Sequence, residues 1–170
     1  MSLPVAFLDF ACLGRPALGE SRVQGFEDQI VLHALAWSAS AVHLASRGRR
    51  ERTELRPGHV TVSKYLDRSS LLLYRCANET RRYDRACITV IDPALSGVGK
   101  PPVAMLTMEL QDGTLTHIAT RTEDSTHAKP IVEELTLSFK DLRLRYYPLD
   151  ASTLRRPTPT HVELRSSRYD

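Results

Sequence analysis

The chain of 170 residues has little of what usually announces chemistry. Aromatic residues make up 6%, with one tryptophan, and the cysteines number three. Cys12, Cys76 and Cys87 are odd in number and have no C-x-x-C spacing, so neither a zinc site nor a redox motif is signalled. Each lies in an apolar run, and they read as small core residues rather than as a disulfide or a metal site. The six histidines, His33, His43, His59, His117, His127 and His161, show no H-x-x-x-H, H-x-H or H-E-x-x-H pattern. No G-x-S-x-G turn presents a serine nucleophile. Gly99-Lys100 suggests a phosphate loop, but Ala94 stands where that loop needs glycine and Pro101 replaces the magnesium-binding hydroxyl. Glu133 and Glu134 are neighbours on a strand, point to opposite faces and cannot act as a catalytic pair. The expectation is a protein with no catalytic residue, cofactor or metal, and so not an enzyme.

Long hydrophobic runs are also missing. No stretch approaches the length of a bilayer span, so membrane insertion is not expected. Residues 1–9 carry no basic segment and are interrupted by Asp9, which does not read as a signal peptide. The chain is therefore expected to be made and folded in the cytoplasm, with any export by a signal-independent route. A net charge of +3 is too small to imply a nucleic-acid partner by itself. Its distribution is less even. Arg47, Arg49, Arg50, Arg52 and Arg56 sit within ten residues, offset only by Glu51 and Glu54. Three readings stand side by side: a solvated loop, a phosphate-binding loop on a β-barrel nucleic-acid module (47–56), or a contact with carboxylates of another protein. No aromatics interleave to stack bases, which counts against the second.

What the chain does have is strand grammar. Its length suits one domain that needs no staples. Alternating and β-branched stretches predict strands over 3–12, 28–37, 58–65, 85–92, 103–111, 114–122 and 131–147. Strand 28–37 is apolar on both parities, so it is either central or covered by a partner. Asp112-Gly113 is a two-residue hairpin signal between its flanking strands. In 131–147 the apolar set moves from Leu135, Leu137 and Phe139 to Leu142, Leu144 and Tyr146, which requires a bulge or tight turn at Lys140-Asp141. One helix is predicted, over about 69–78, behind the capping residues Asp67, Ser69 and Ser70. Residues 38–57 read as a long loop without periodicity. Residues 149–170 have too little apolar content to pack and read as a loosely ordered tail, with at most a short exposed strand at 161–164.

Several of these stretches resemble the Hcp family, the hemolysin-coregulated proteins that form the inner tube of the type VI secretion system. Gly19-Glu20-Ser21 and the strand ending Trp37-Ser38 are similar to its G-E-S loop and second strand. The run Ser63-Lys64-Tyr65-Leu66-Asp67-Arg68-Ser69-Ser70 resembles its signature before the single helix. Glu134 to Phe139, then Leu142 to Pro148 with Tyr147, is similar to its closing segment. The resemblance covers 3–148 in order, and its motif residues here are Trp37, Ser38, Lys64, Tyr65, Asp67, Ser70, Glu134, Phe139 and Tyr147. Ala39 and the arginine run stand where the family often has glycines, Leu71 stands where proline is common, and the stretch from Leu149 has no counterpart in the pattern. The resemblance implies a mainly β fold, a two-sheet β-barrel or sandwich with a single flanking helix, in a domain spanning 1–148. It implies a structural tube subunit, assembled in the cytoplasm as stacked homo-hexameric rings and then secreted, with a contractile sheath, a spike and effectors as partners. The loop carrying Arg47, Arg49, Arg50, Arg52 and Arg56 would then be a ring-stacking arm against acidic groups on the next ring.

Overall fold

A computed structural model describes residues 6–44, 52–92, 95–96, 102–123, 130–148 and 158–166. Its strands are β1 (Ala6–Cys12), β2 (Arg15–Pro16), β3 (Ile30–Leu32), β4 (Ala34–Leu44), β5 (Arg52–Tyr65), β6 (Arg85–Ile91), β7 (Ala104–Gln111), β8 (Leu115–Thr122), β9 (Ile131–Leu137), β10 (Asp141–Tyr146) and β11 (Thr160–Arg165). The helix α1 (Ser70–Asn78) follows β5. One sheet has seven strands in the order β11-β10-β7-β6-β1-β2, with β3 paired to the same edge of β1 as β2. The other has four, in the order β4-β5-β9-β8. This is a β-sandwich with one helix, as the mainly β reading requires.

Alternation explains the core. In β1 the even residues Ala6, Leu8, Phe10 and Cys12 face inward and are buried. They meet Ile30, Leu32, Ala86, Ile88, Met108, Leu110 and Leu142 from their own sheet, and Val60, Val62, Leu135 and Leu137 from the facing one. Burying side chains of this size contributes about 1.5–3 kcal/mol each. Phe7 points the other way and is nonetheless buried, because Phe26 stacks on it with ring centroids 4.4 Å apart.

The chain passes repeatedly from one sheet to the other, and this corrects three expectations. The predicted strand 28–37 is two strands: β3 pairs with β1, and after His33 the chain enters the facing sheet as β4. The buried parity flips there, from Ile30 and Leu32 to the half-buried Leu35 and Trp37. Asp112-Gly113 does not close a hairpin, since β7 pairs with β6 and β10 while β8 pairs with β9. Residues 131–147 are also two strands in different sheets, so the expected kink is a crossover at 138–140. Entering the facing sheet reverses which parity points at the core. A bulge was not needed.

Two more expectations change. Within the expected loop 38–57, residues 38–44 and 52–57 continue β4 and β5 as a two-stranded ribbon, and 45–51 lie outside the described residues. A bulge between Trp37 and Ala39 hides the alternation. Cys12 and Cys76 are core residues, fully buried, but they are joined by a disulfide between β1 and α1. Cys87 is free. The short strand expected at 161–164 is present as β11, paired along its length with β10. Residues 149–157 and 167–170 of the expected tail lie outside the described residues.

The passages between sheets at 112–114 and at 138–140 are stitched together. Ser138 donates its amide to the Thr114 carbonyl at 2.9 Å, and Thr114 donates its own to Ser138 Oγ at 3.0 Å. The Tyr83 hydroxyl donates to the Ser138 carbonyl at 2.7 Å. Gly113 lies in this knot, where a Cβ would overlap the Ser138 carbonyl oxygen and the Tyr83 hydroxyl. Its smallness, rather than turn chemistry, is what the site uses. Gly113→Ala should therefore lose about 3 kcal/mol or more of unfolding free energy in urea. Gly25→Ala, at φ +84° with nothing within 4 Å, should lose only about 1–2 kcal/mol. Equal losses at the two positions would show that the knot is not tight.

Candidate functional site

Two places stand out: a buried ionic junction where β5 hands over to α1, and the ribbon that β4 and β5 extend beyond the sandwich. In β5 the inward parity carries Val60, Val62 and then Lys64. In β9 it carries Leu137, Leu135 and then Glu133, paired directly opposite Lys64. A cation and a carboxylate thus end two apolar columns, and both are fully buried. Lys64 Nζ donates to Glu133 Oε2 at 2.7 Å and to Ser70 Oγ at 2.9 Å, and lies 2.9 Å from Asp67 Oδ1. Ser70 Oγ donates to Glu133 Oε2 at 2.7 Å and accepts the Asp67 amide at 3.1 Å.

The helix starts in the middle of this network. Ser69 is the residue before the first turn but makes no side-chain cap bond. Asp67 does the capping instead, accepting the Ser69 amide at 2.9 Å and the Ser69 hydroxyl at 2.5 Å. Two carboxylates, one ammonium and two hydroxyls surround the positive end of α1, an arrangement that suits a helix N-terminus. Lys64 and Ser70 are met by partners of the junction itself, while the second carboxylate oxygen of Glu133 is buried without a hydrogen bond. Lys64, Ser70 and Glu133 are fully buried there, so the arrangement can hold the fold in register.

The remaining motif residues scatter. Tyr65 lies against His33, ring centroids 3.9 Å apart, and burial there lowers the His33 imidazole while the Glu123 carboxylate pulls it partly back. Glu134 faces outward on β9, with Arg121 at 3.6 Å. Phe139 is buried at the 138–140 crossover, and the Tyr147 amide donates to the Met105 carbonyl at 2.9 Å. Trp37 is half-buried at the root of the ribbon, its indole N–H enclosed without a partner, and Ser38 is exposed beside it at the bulge. Only Lys64, Asp67 and Ser70 of the motif residues come together. Glu133 completes them and was missed as a member. The signal for it was present, because it shares parity with Leu135 and Leu137 and so had to point into the core.

Of the arginines, Arg47, Arg49 and Arg50 lie outside the described residues. Arg52 opens β5 opposite Leu44. Arg56 is half-buried on the ribbon, 4.0 Å from Glu54. The ribbon pairs only with itself beyond Val60, since β9 reaches β5 from Val60 to Tyr65. Ser40, Ala41, His43, Thr53 and Leu55 on it are exposed. Among the described residues, no three His, Cys, Asp or Glu side chains converge as metal ligands. Nor is any helix among them long and apolar enough to cross a membrane.

The chain matches the family model described as "Type VI secretion system effector, Hcp" over residues 8–146. In fold it is similar to a mutant form of Hcp1 from the E. coli EAEC 042 pathovar, with a TM-score of 0.73 at 14% identity, covering 96% of this chain and 99% of that one. It is similar to Hcp1 from Salmonella typhimurium at 0.68 and 13%, covering 95% of each chain. The secreted protein Hcp3 from Pseudomonas aeruginosa matches at 0.61 and 14%, covering 95% of this chain and 99% of that one. No curated protein matches the chain. Coverage of 96% reaches past residue 148, so the likeness in fold takes in part of the stretch that the sequence motifs left without a counterpart.

The buried junction makes a sharp stability prediction. Lys64→Met strands two carboxylates without their cation and should cost about 3–5 kcal/mol. Lys64→Met with Glu133→Leu should recover most of that loss. A double-mutant cycle by urea unfolding measures the coupling, and simple additivity would show that the pair does not act as a unit.

Proposed function

The chain belongs to the Hcp family of type VI secretion proteins, and from that premise we propose that it is a structural, non-enzymatic subunit of the secreted inner tube. In this reading six copies close into a ring and the rings stack. The stacked tube is then driven out with a sheath around it and a spike at its tip, carrying effectors. It is assembled in the cytoplasm and leaves without a signal peptide. The domain is 1–148, and residues 149–170 are an appendage that lends β11 to the seven-stranded sheet.

The observation that supports assembly most is the state of β4. It spans eleven residues, Ala34–Leu44, with no Asp, Glu, Lys, Arg or proline, and among the described residues it pairs on one side only. Single-chain proteins guard such edges with charges, prolines, bulges or cover, and of these β4 has the one bulge between Trp37 and Ala39. Its outer half also belongs to a two-stranded ribbon, which is marginal in water by itself. A neighbouring copy would resolve both. A head-to-tail contact that closes by rotation gives a ring. Arg52 and Arg56 on β5, with Arg47, Arg49 and Arg50 of the sequence between β4 and β5, are then the groups proposed to meet acidic side chains on the next ring, with a strength that falls as salt screens them.

Size-exclusion chromatography with light scattering and negative-stain microscopy tests this reading. The expected result is a species of six chain masses, seen as rings with a central hole. Neutralising the five arginines should leave rings intact but reduce their stacking at low salt. A monomer at all concentrations would contradict the tube reading. Unchanged stacking and salt dependence in the variant would remove the arginines from it.

A further inference from the structure

We propose that the Cys12–Cys76 bond is a redox-operated latch on α1, open in a reducing compartment and closed by thiol–disulfide exchange in an oxidising one. Cys12 ends β1 immediately before the turn at Leu13-Gly14, where both residues have positive φ. Cys76 sits in the second half of α1, 64 residues later, with its Cα 6.3 Å from that of Cys12. The bond therefore closes a loop that contains β2, β3, β4 and β5.

The helix needs such a tie at one end only. A nine-residue helix is too short to hold itself in water. Its first turn is fixed to the four-stranded sheet through Ser70, Lys64 and Glu133. Beyond Leu73 the helix buries only Cys76, with Ala77 half-buried against the core and the Tyr74 hydroxyl bonded to the Thr120 hydroxyl on β8, while Arg75 and Asn78 are exposed. The ionic junction thus holds one end to one sheet. The disulfide holds the other end to the other sheet, through β1. With the bond open, the second half of α1 keeps a buried thiol, the half-buried Ala77 and the exposed Tyr74–Thr120 hydrogen bond as its anchors.

Closure needs an oxidant, and a low-molecular-weight disulfide such as oxidised glutathione suffices. One cysteine thiolate attacks a sulfur of that molecule, forming a mixed disulfide and expelling one thiolate. The second cysteine thiolate then attacks the protein sulfur of the mixed disulfide and expels the other. The protein loses two electrons and two protons, and two free thiols leave. Both cysteines are fully buried, so exchange requires the end of α1 to lift. Cys87 is a poor competitor. It lies on the outward parity of β6, burial pushes its thiol up, and the Glu109 and Asp9 carboxylates add to that.

The timing of the latch rests on the proposed passage between compartments, but its chemistry does not depend on ring formation. The full chain is equilibrated in glutathione buffers from reducing to oxidising, alkylated, and read by peptide mass spectrometry and thermal melting, with a sizing run on each form. The bridged fraction should rise with oxidised glutathione. The open form should melt roughly 8–16 °C lower, given the length of the closed loop and the size of the chain. Cys12→Ala/Cys76→Ala should melt like the open form and ignore the buffer, whereas Cys87→Ser should respond as the parent does. Thiols that stay free under oxidising conditions would overturn the proposal. So would a bond that persists at a cytosol-like glutathione ratio, or equal melting of the two forms. If the double variant does not fold, the titration of the parent chain decides alone. Loss of rings in both forms would count against the tube reading and leave the latch standing.

Discussion

A lysine at the inner end of two apolar columns is the constraint on which the rest of this structure depends. Lys64 is fully buried, and a buried ammonium is tolerable only where carboxylates and hydroxyls meet it at hydrogen-bond distance. Glu133, Asp67 and Ser70 do so at 2.7–2.9 Å. This requirement acts in two directions. It pins the register of β5 against β9, because a slip by one residue would turn Lys64 to solvent and leave Glu133 alone in the core. It also sets where α1 begins, because Ser70 is both the first residue of the helix and a member of the network. The energetic worth of such a cluster lies less in net stability than in the cost of every other arrangement.

The placement of α1 then closes the sandwich. Its first turn and Tyr74 are tied to the four-stranded sheet and Cys76 to the seven-stranded one, so it bridges the two layers. The disulfide to β1 strengthens the weaker side of that bridge. The family resemblance sits on this junction, and the geometry offers a physical reason. Lys64, Asp67 and Ser70 form one interaction, which cannot be changed one residue at a time.

Much of this was legible in the sequence, and what was not has specific causes. Strand alternation located the β segments, and Asp67 with its serines located the helix. The crossings between sheets were harder, because the same parity flip is produced by a bulge and by entry into a facing sheet. His33 and residues 138–140 look alike in that respect. Asp112-Gly113 misled for a related reason: a glycine that avoids the Ser138 carbonyl reads the same as a glycine in a tight turn. The ribbon was hidden by a bulge next to Trp37. Glu133 was readable from its parity with Leu135 and Leu137, but an ion pair within a core is learned only once both strands are in register. The pairing of Cys12 with Cys76 needed the fold itself, since spacing carries no trace of it.

Residue-resolved native-state hydrogen exchange in low urea, with the disulfide intact, tests the claim that the junction couples the helix to the sheets. If Lys64 and its partners act as the clasp, the amides of Leu73–Asn78 and those of the β5–β9 rungs near Lys64 and Glu133 will open together. They will do so with the free energy and urea dependence of global unfolding. Exchange of the α1 amides through a separate opening of lower energy, while the β5–β9 rungs stay protected, would contradict it.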